Sequence, residues 1–405
     1  MHILWGLTGI VVLLGIAFLI SRNKKLIKPR TIIIALLIQV SFAFIVLKWD
    51  LGRKIFNEIT LFIQMIIDSS TEGVNFLFGG LFEGEGIGYI FAFQVLPVIV
   101  FLSSLISVLY YIGFMQILIK LIGGGLAKLL KTSKPESISA AANIFVGLTE
   151  APLVVKPYLD KMTKSELFAV MTGGAASVSG AVLVGYSLLG VPLEFLLAAA
   201  FMAAPAGLLM AKIIMPEDEF ENQTGQEIRF EKDPNTVNVV DAAAKGASDG
   251  LNMALNIGAL LLAFISLIAL ANIFINGFGS FIGLENLTLQ TILGYILAPL
   301  AFVIGVPWEE AVYAGSYIGQ KFILNEFVAY TSFAENMDNL SDKTVLIVSF
   351  ALCGFANIAA IAMFIGGIGG LSPTRKPELA KYGLLAVIAG TLANLLSAAI
   401  AGMFI

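Results

Sequence analysis

Apolar runs long enough to cross a lipid bilayer recur along the whole of this 405-residue chain. A transmembrane helix needs about 20 predominantly apolar residues. We identify eight such segments, at residues 1–20, 31–47, 89–112, 167–189, 193–215, 252–275, 343–365 and 383–405. Only 13% of the residues are charged, about half the usual share in soluble domains. The sequence therefore predicts an all-α polytopic membrane protein with eight transmembrane helices, and it excludes a soluble globular enzyme.

Three further segments are apolar without forming a clean span. In residues 50–82, apolar side chains recur at helical spacing between charged ones such as Arg53 and Glu58, which predicts an amphipathic helix at the membrane interface. Residues 133–158 and 289–330 contain carboxylates, glycines and prolines within apolar surroundings. This composition favours two re-entrant hairpins, which enter and leave the bilayer on the same side. The triple glycine at 123–125 lacks the residues of a phosphate loop and predicts a helix break.

The order of these segments repeats in the two halves of the chain. Each half has a span, a hairpin that contains a glutamate, a span interrupted by small and polar residues, and a final span. The interruptions lie around Ser177 and Asn357, and an odd number of crossings separates the halves. The sequence therefore predicts an inverted repeat, which is typical of secondary transporters with a substrate site near the bilayer midplane.

The distribution of basic residues predicts the orientation of the chain. With both termini outside the cell, most of the 24 Lys and Arg residues lie on the inner side, as positively charged cytoplasmic loops require. The basic residues that this arrangement leaves outside are Lys48, Arg53, Lys54, Lys321 and Lys343.

Composition also excludes most catalytic and metal chemistry. The chain has one cysteine, Cys353, and one histidine, His2. A zinc cluster or a histidine-based nucleophile cannot be assembled from them. The formal net charge of −4 gives no indication of a nucleic-acid partner. We therefore expect neither an enzyme nor a bound cofactor.

Two carboxylates stand out because ionised groups are costly inside a membrane. Glu150 and Glu326 each lie in a predicted hairpin, where they contact a substrate or ion, or extend from a hairpin that barely enters the bilayer. Asn143 and Ser177 are oxygen donors suited to Na+, or helix–helix hydrogen-bonding groups; Thr149 and Asn357 are similar. Phe355 stacks on a planar ligand or packs in the core. The adjacent acids at 309–310 either contact a ligand or stabilise a helix start.

Several motifs of the chain are similar to those of one family. The chain resembles the concentrative nucleoside transporter family, of the bacterial sodium-coupled type, along nearly its whole length. The matching stretches are NFLFGG, SAAANIFVGLTEAPLVVKPYL, KMTKSELFAVMTGG, APLAFVIGVPWEEA, NEFVAY and SFALCGFANIAAIA. The resemblance implies a cation-coupled nucleoside importer of the cell membrane, a homotrimer, and elevator-type movement of a transport part against a scaffold.

The resemblance also implies a site. Its substrate-binding residues are Leu148, Thr149, Glu150 and Val182 towards the base, and Glu326, Phe355, Asn357 and Ala360 towards the ribose. Its Na+ ligands are Asn143, Val146, Ser177 and Val178, partly through backbone carbonyls. Proton-coupled relatives lack the asparagine at position 143, so its presence favours Na+.

Two positions depart from the family pattern. Leu148 stands where the family usually has glutamine, and Ala360 where it usually has serine. Each change removes a hydrogen-bonding group, and a typical lost hydrogen bond costs about 0.5–1.5 kcal/mol. We therefore expect a shifted selectivity, towards a less polar base, a deoxyribose or another small polar solute.

The predicted organisation has five parts. Residues 1–115 form scaffold helices, 116–215 the first repeat of the transport part, 216–251 a cytoplasmic polar loop, 252–280 a scaffold span and 281–405 the second repeat. The leading hypothesis is Na+-coupled nucleoside import. Its alternatives are an H+-coupled symporter or a carrier of a non-standard nucleoside-like substrate. A channel and a non-transporting membrane protein are further alternatives.

Overall fold

The computed structural model describes residues 2–82, 90–218, 236–281, 283–284 and 286–405. These residues are almost entirely helical. In chain order the helices are α1 His2–Leu19, α2 Pro29–Leu47, α3 Asp50–Phe82, α4 Leu96–Tyr111, α5 Phe114–Leu130, α6 Lys134–Ala142, α7 Lys164–Ala176, α8 Gly180–Leu188, α9 Leu193–Ile214, α10 Val239–Phe281, α11 Leu289–Val303, α12 Trp308–Ile323, α13 Glu326–Ala334, α14 Asp342–Leu352, α15 Ala360–Leu371 and α16 Lys376–Ala401.

Seven helical segments of the described chain are long and apolar enough to cross a membrane, and an eighth is obtained if α11 and α12 are counted as one span bent by 115°. Seven of the predicted spans correspond to these seven segments. The predicted span 343–365 is different, because α14 and α15 are separated by seven non-helical residues. The all-helical prediction is confirmed, whereas the number of crossings stays a prediction.

Helix α10 is longer than the sequence suggested. It has 43 residues, or roughly 65 Å at 1.5 Å per residue, and it begins within the segment that we assigned to the polar loop. Its small residues explain this start. A Cβ atom on Gly246 would lie 2.7 Å from the Ser103 carbonyl oxygen, and one on Gly250 would lie 2.8 Å from the Val100 Cα. Glycine thus lets α10 pack closely along α4 in a stretch that also contains the charged residues Lys245 and Asp249.

Helix α3 spans Asp50–Phe82, the range predicted for the amphipathic helix. The predicted break at the triple glycine is wrong, because α5 is continuous through residues 123–125. Gly123 instead faces α6, where an added Cβ atom would lie 2.8 Å from the Ile138 Cα. A Cβ atom on Gly124 would meet nothing within 4 Å. The first glycine is therefore a packing residue.

Burial divides the helices into two groups. In the most apolar part of α7–α8, 94% of the residues are buried within the described chain, whereas in α10 the share is 11%. Helices α9 and α16 belong to the buried group, and α1, α2 and α4 to the exposed group. Helix α16 packs against both α7 and α9. The exposed group leaves apolar surface for lipid or for other copies of the chain, as the scaffold prediction requires.

The element order of the two halves is the same in the structure. The first half has an interrupted segment (α6, the tip loop 143–150 and the 3-10 helix Ala151–Lys161), the broken pair α7–α8, and α9. The second half has an interrupted segment (α12, the tip Leu324–Asn325 and α13), the broken pair α14–α15, and α16. The repeat predicted from the sequence is therefore present in the order of elements, while its inversion across the membrane stays a prediction.

The two adjacent glycines of α5 provide a matched test of the packing. We expect Gly123→Ala to lower stability by about 1–3 kcal/mol, because the added methyl group overpacks the contact with α6. Gly124→Ala should raise stability by roughly 0.5–1 kcal/mol, because alanine loses less entropy than glycine in a helix. Thermal unfolding of the purified proteins in one detergent measures both. Equal changes in stability for the two substitutions would contradict the assignment of Gly123 as a packing residue.

Asp160 joins the first half to the second at the end of α15. Its carboxylate accepts hydrogen bonds from the Ser372 hydroxyl and, at 2.7 Å, from the Thr374 hydroxyl. These bonds lower the pKa of Asp160, the Ser372 bond having the largest effect. Because the pKa is lowered by folding, the contribution to stability is present above the ordinary aspartate pKa of about 3.9 and is lost as the pH falls through the lower folded value.

Asp160→Asn should therefore remove part of the acid sensitivity of the fold. We expect the difference in melting temperature between the wild type and Asp160→Asn to be constant from pH 7 to about pH 5, and to shrink below about pH 4. Differential scanning fluorimetry across this range measures the difference. A difference that does not change with pH would show that the carboxylate charge is not involved.

Candidate functional site

Two broken helices meet in the buried group of helices. Helix α7 ends at Ala176 and α8 begins at Gly180; α14 ends at Leu352 and α15 begins at Ala360. The breaks predicted around Ser177 and Asn357 are therefore confirmed. A direct hydrogen bond joins them, since the Phe355 N–H donates to the Ser177 carbonyl at 3.0 Å. Each break leaves backbone groups that need partners, because the helical pattern stops.

Each interrupted segment bonds to the broken pair of its own half in the same way. In the first half the Gly180 N–H donates to the Phe145 carbonyl at 3.0 Å. In the second half the Ile358 N–H donates to the Phe322 carbonyl at 3.1 Å. In both halves, therefore, a residue at or next to the break is bonded to a phenylalanine at or near the tip of the interrupted segment. These two bonds define equivalent positions in the repeats.

The predicted ribose-side residues of the second half lie together. The Asn325 side chain caps α13 by accepting from the Val328 N–H at 2.9 Å, which places buried Glu326 in the first turn. The Asn357 amide nitrogen donates to the Glu326 carboxylate at 3.0 Å, and the Asn357 amide oxygen accepts from the Ala360 N–H at 3.0 Å. The side chains of Glu326 and Asn357 are thereby fixed relative to each other and to Ala360.

Residues of the tip loop 143–150 approach this group from the first half. The Glu150 carboxylate accepts from the Gly147 N–H at 3.3 Å. A Cβ atom on Gly147 would lie 3.9 Å from the Phe355 ring, so the loop lies on Phe355. Thr149 packs against α15, where a Cβ atom on Gly367 would lie 2.8 Å from its methyl group.

Leu148 and Val182 complete the predicted substrate set. Leu148 is buried, and its Cγ would lie 3.5 Å from a Cβ atom on Gly174 of α7. Its side chain therefore packs back against α7. Val182 is in the first turn of α8, and its N–H donates to the Ser179 hydroxyl at 3.4 Å. Neither side chain offers a polar group to a ligand, so both give this side of the site an apolar character.

The predicted Na+ ligands surround the C-terminal end of α7. Asn143 is buried, and neither its amide oxygen nor its amide nitrogen has a hydrogen-bond partner in the described part of the chain. The Ser177 hydroxyl makes one long bond, to the Gly174 carbonyl at 3.4 Å. Val146 and Val178 are buried beside them and can contribute only backbone carbonyls. An unpaired buried amide next to a helix C-terminus fits a hard monovalent cation, because oxygen ligands and the helix dipole both favour positive charge.

A cavity of about 440 Å³ borders the tip loop. Glu150, Val146 and Ser179 line one side, and Ser103 and Tyr110 of α4 with Asp249 of α10 line the other. The cavity extends to Lys156 and Lys245, two of the basic residues that the sequence predicts for the inner side. It therefore lies between the exposed and the buried groups of helices and contacts residues of both predicted sites.

Glu310 is a structural residue in this arrangement. Its carboxylate accepts from the Ser341 N–H at 3.0 Å and from the Ser341 hydroxyl at 2.8 Å, just before α14 begins. Glu309 and Glu310 both lie in the first turn of α12. The structure thus agrees with the helix-start interpretation of this acidic pair.

Sequence reasoning missed a buried polar pair beside the site. Lys321 of α12 was assigned to the external side, but its side chain is fully buried, and its ammonium donates to the Asn394 amide oxygen of α16 at 2.7 Å. The sequence does contain a signal for a functional role of Lys321, because a lysine within an apolar interrupted segment is a candidate functional residue. Its partner Asn394 could not be identified, since 73 residues separate the two.

Three family models match successive parts of the chain. They describe the N-terminus of Na+ dependent nucleoside transporters over residues 8–81, a gate domain for nucleoside recognition over 92–192, and the C-terminus of Na+ dependent nucleoside transporters over 195–402. The last of these alone covers more than half of the chain.

Relatives and solved structures agree with these matches. An uncharacterized transporter of Bacillus subtilis is 55% identical over 405 residues, with 100% of both chains covered. The nucleoside permease NupC of Helicobacter pylori is 50% identical over 412 residues, which cover 99% of this chain and 98% of the permease. The structure of CNTnw in an inward-facing substrate-bound state is 53% identical and has a TM-score of 0.94, covering 100% of this chain and 98% of that one. CNTnw variants in outward-facing and intermediate states give TM-scores of 0.93–0.96. The chain therefore belongs to the concentrative nucleoside transporter family, as a multi-pass membrane transporter and not an enzyme.

Proposed function

We propose that this protein imports nucleosides across the cell membrane by symport with Na+. The observation that carries the proposal is the fixed pair of Glu326 and Asn357 at two converging helix breaks, next to a loop that also contains the unpaired amide of Asn143. A polar substrate site and a cation site would then share one mobile loop. The Na+ dependence in the family descriptions supports Na+ as the coupling ion.

Glu326 and Asn357 would bind the ribose. A carboxylate accepts hydrogen bonds from sugar hydroxyls, and an asparagine amide both donates and accepts. Because Asn357 is held by the Ala360 N–H and by Glu326, its orientation is set before the substrate arrives. Preorganised groups of this kind lose less entropy on binding.

The base would lie against the tip loop and α8. Thr149 and Glu150 would offer it hydrogen bonds, while Phe355, Leu148 and Val182 would provide apolar contacts. Leucine at 148 and alanine at 360 remove two hydrogen-bonding groups from the predicted substrate-binding residues, so discrimination between bases would depend more on shape. This supports a substrate whose base needs fewer hydrogen bonds than uracil, or one that lacks a ribose hydroxyl.

Na+ would couple to the substrate through the loop 143–150. Bound to Asn143, Ser177 and the carbonyls of Val146 and Val178, the ion would order the loop that also contains Thr149 and Glu150. Nucleoside would then bind a preorganised site. The membrane potential would add about 2.3 kcal/mol per charge per 100 mV to the driving force.

The two groups of helices fit an elevator-type mechanism. Helices α7, α8, α9 and α16 would move with the tip loops as the transport part, against a scaffold that includes α1, α2, α4 and α10. The scaffold surface would form a homotrimer, both termini would be external, and the two interrupted segments would be re-entrant hairpins. CNTnw structures in inward-facing, intermediate and outward-facing states are known, which supports alternating access of this kind.

Uptake by proteoliposomes tests the function. Labelled ribo- and deoxyribonucleosides are supplied with an inward gradient of Na+, of H+ or of neither. We expect accumulation of at least one nucleoside only with the Na+ gradient. Accumulation that follows the pH gradient would select the H+-coupled alternative, and no accumulation of any nucleoside would require another cargo.

Glu326→Gln should reduce uptake at low substrate by roughly 10–100-fold, because a hydrogen bond to a charged group contributes about 1.5–3 kcal/mol. The matched control is Glu310→Gln, which removes a carboxylate outside the site. It should lower stability slightly while leaving substrate affinity unchanged. Wild-type uptake by the Glu326 variant would remove this residue from the site.

Asn143→Leu should change the Na+ dependence more than the substrate dependence. We expect the Na+ concentration for half-maximal uptake to rise about tenfold or more, because losing a direct ligand costs at least about 1.4 kcal/mol. Ser139→Ala is the control, since Ser139 lies in α6 four positions before Asn143 and has a buried hydroxyl that also lacks a hydrogen-bond partner among the described residues. If both variants raise the Na+ requirement equally, Asn143 is not a specific ligand.

A further inference from the structure

The buried Lys321–Asn394 pair connects elements of both repeats without touching the proposed substrate. The Lys321 ammonium donates to the Ala351 carbonyl at 2.8 Å and to the Asn394 amide oxygen at 2.7 Å. The Asn394 amide nitrogen donates to the Ala176 carbonyl at 2.6 Å and to the Cys353 carbonyl at 2.9 Å. One lysine and one asparagine thus bind carbonyl groups at the ends of both α7 and α14.

These carbonyls belong to two helix C-termini that point at the same place. Each helix C-terminus carries a partial charge of about −0.5, so two of them together approach one negative charge. A single ammonium balances that charge in a region that water does not reach. Gly354 permits the convergence, because a Cβ atom there would lie 2.8 Å from the Ala176 carbonyl oxygen.

The equivalent bonds of the two repeats show which part of the first repeat corresponds to Lys321. Gly180 N–H to Phe145 and Ile358 N–H to Phe322 align the first tip with the second, which places Lys321 opposite residue 144. In the first repeat the corresponding region contains the buried Asn143 amide, near the end of α7, which has no hydrogen-bond partner within the described ranges. In the second repeat the corresponding region contains the side-chain amine of Lys321, at the end of α14.

We propose that Lys321 is a tethered cation, which fills in the second repeat the position that exchangeable Na+ takes in the first. The comparison with Na+ rests on the proposed function. Lys321 also lies five positions before Glu326, near the end of α12 that leads into this tip, so it acts as a positioning residue for the ribose side. The second repeat is then ordered without an ion, and only the first responds to Na+.

The experiment removes the Lys321 ammonium and leaves space in which a free Na+ ion can bind. Lys321→Ser, which leaves room for Na+ beside the Ala351 carbonyl and the Asn394 amide, is compared with Lys321→Arg, which keeps the charge. Lys343→Ser, at the start of α14, is the control for loss of another buried lysine. Thermal unfolding is measured without nucleoside, in NaCl and in choline chloride of equal ionic strength. Na+-dependent uptake is measured in proteoliposomes.

We expect Lys321→Ser to melt lower than the wild type in choline chloride and to recover specifically in NaCl. Its Na+ activation of uptake should become cooperative, with a Hill coefficient rising from about 1 towards 2 as a second ion is required. Lys321→Arg should keep the wild-type Na+ response, and Lys343→Ser should show no Na+-specific recovery.

Two results would overturn the proposal. The first is a folded Lys321→Ser protein whose response to Na+ equals that of the wild type. The second is a protein that does not fold at any NaCl concentration, because the proposal requires Na+ to substitute for the ammonium. A wild type that fails to transport nucleosides would contradict the proposed function. The unfolding assay contains no nucleoside, so the effect of Na+ on the melting temperature of Lys321→Ser would still test the role of Lys321.

Discussion

Helix ends inside an apolar interior are the constraint on which the rest of this structure depends. Lipid offers no hydrogen-bonding partners, so non-helical backbone is tolerated only where protein groups or a wet cavity satisfy it. Here α7 and α14 both end within the buried group of helices. The bond from the Phe355 N–H to the Ser177 carbonyl joins the two breaks directly, and the interrupted segments supply the Phe145 and Phe322 carbonyls. The non-helical backbone is thus satisfied both by its counterpart in the other repeat and by the interrupted segment of its own repeat.

The same constraint concentrates chemistry in one place. A broken helix presents carbonyl groups and a dipole end that attract a cation, and it holds side chains near them in fixed positions. Glu326 and Asn357 are fixed in this way next to the second break, and Asn143 lies beside the first with no hydrogen-bond partner among the residues that the structure describes. In the proposed mechanism the second half contains its own cation, Lys321, whereas the first half binds an exchangeable one. This difference explains how a repeat of similar elements can respond to an ion on one side only.

Much of this could be predicted from the sequence, for physical reasons. Long apolar runs identify most of the membrane helices, the period of residues 50–82 gives an amphipathic helix with the correct ends, and small polar clusters mark both breaks. The sequence did not reveal the triple glycine as a packing surface, because a glycine that breaks a helix and one that admits a neighbour look alike. Nor did it reveal that α10 continues through charged residues, because its partner α4 is distant in the chain. Lys321 was misplaced for the same reason, since its partners Ala351 and Asn394 are 30 and 73 residues away.

In the proposed mechanism, Na+ and nucleoside stabilise one arrangement of the loop 143–150. Thermodynamic linkage then requires each ligand to raise the affinity of the other by the same factor. Isothermal titration of the purified protein with nucleoside at several Na+ concentrations, and with Na+ at zero and saturating nucleoside, measures this factor directly. The account predicts equal factors of about 5–150-fold in the two directions. Nucleoside binding with an affinity that does not change with Na+ concentration would contradict it.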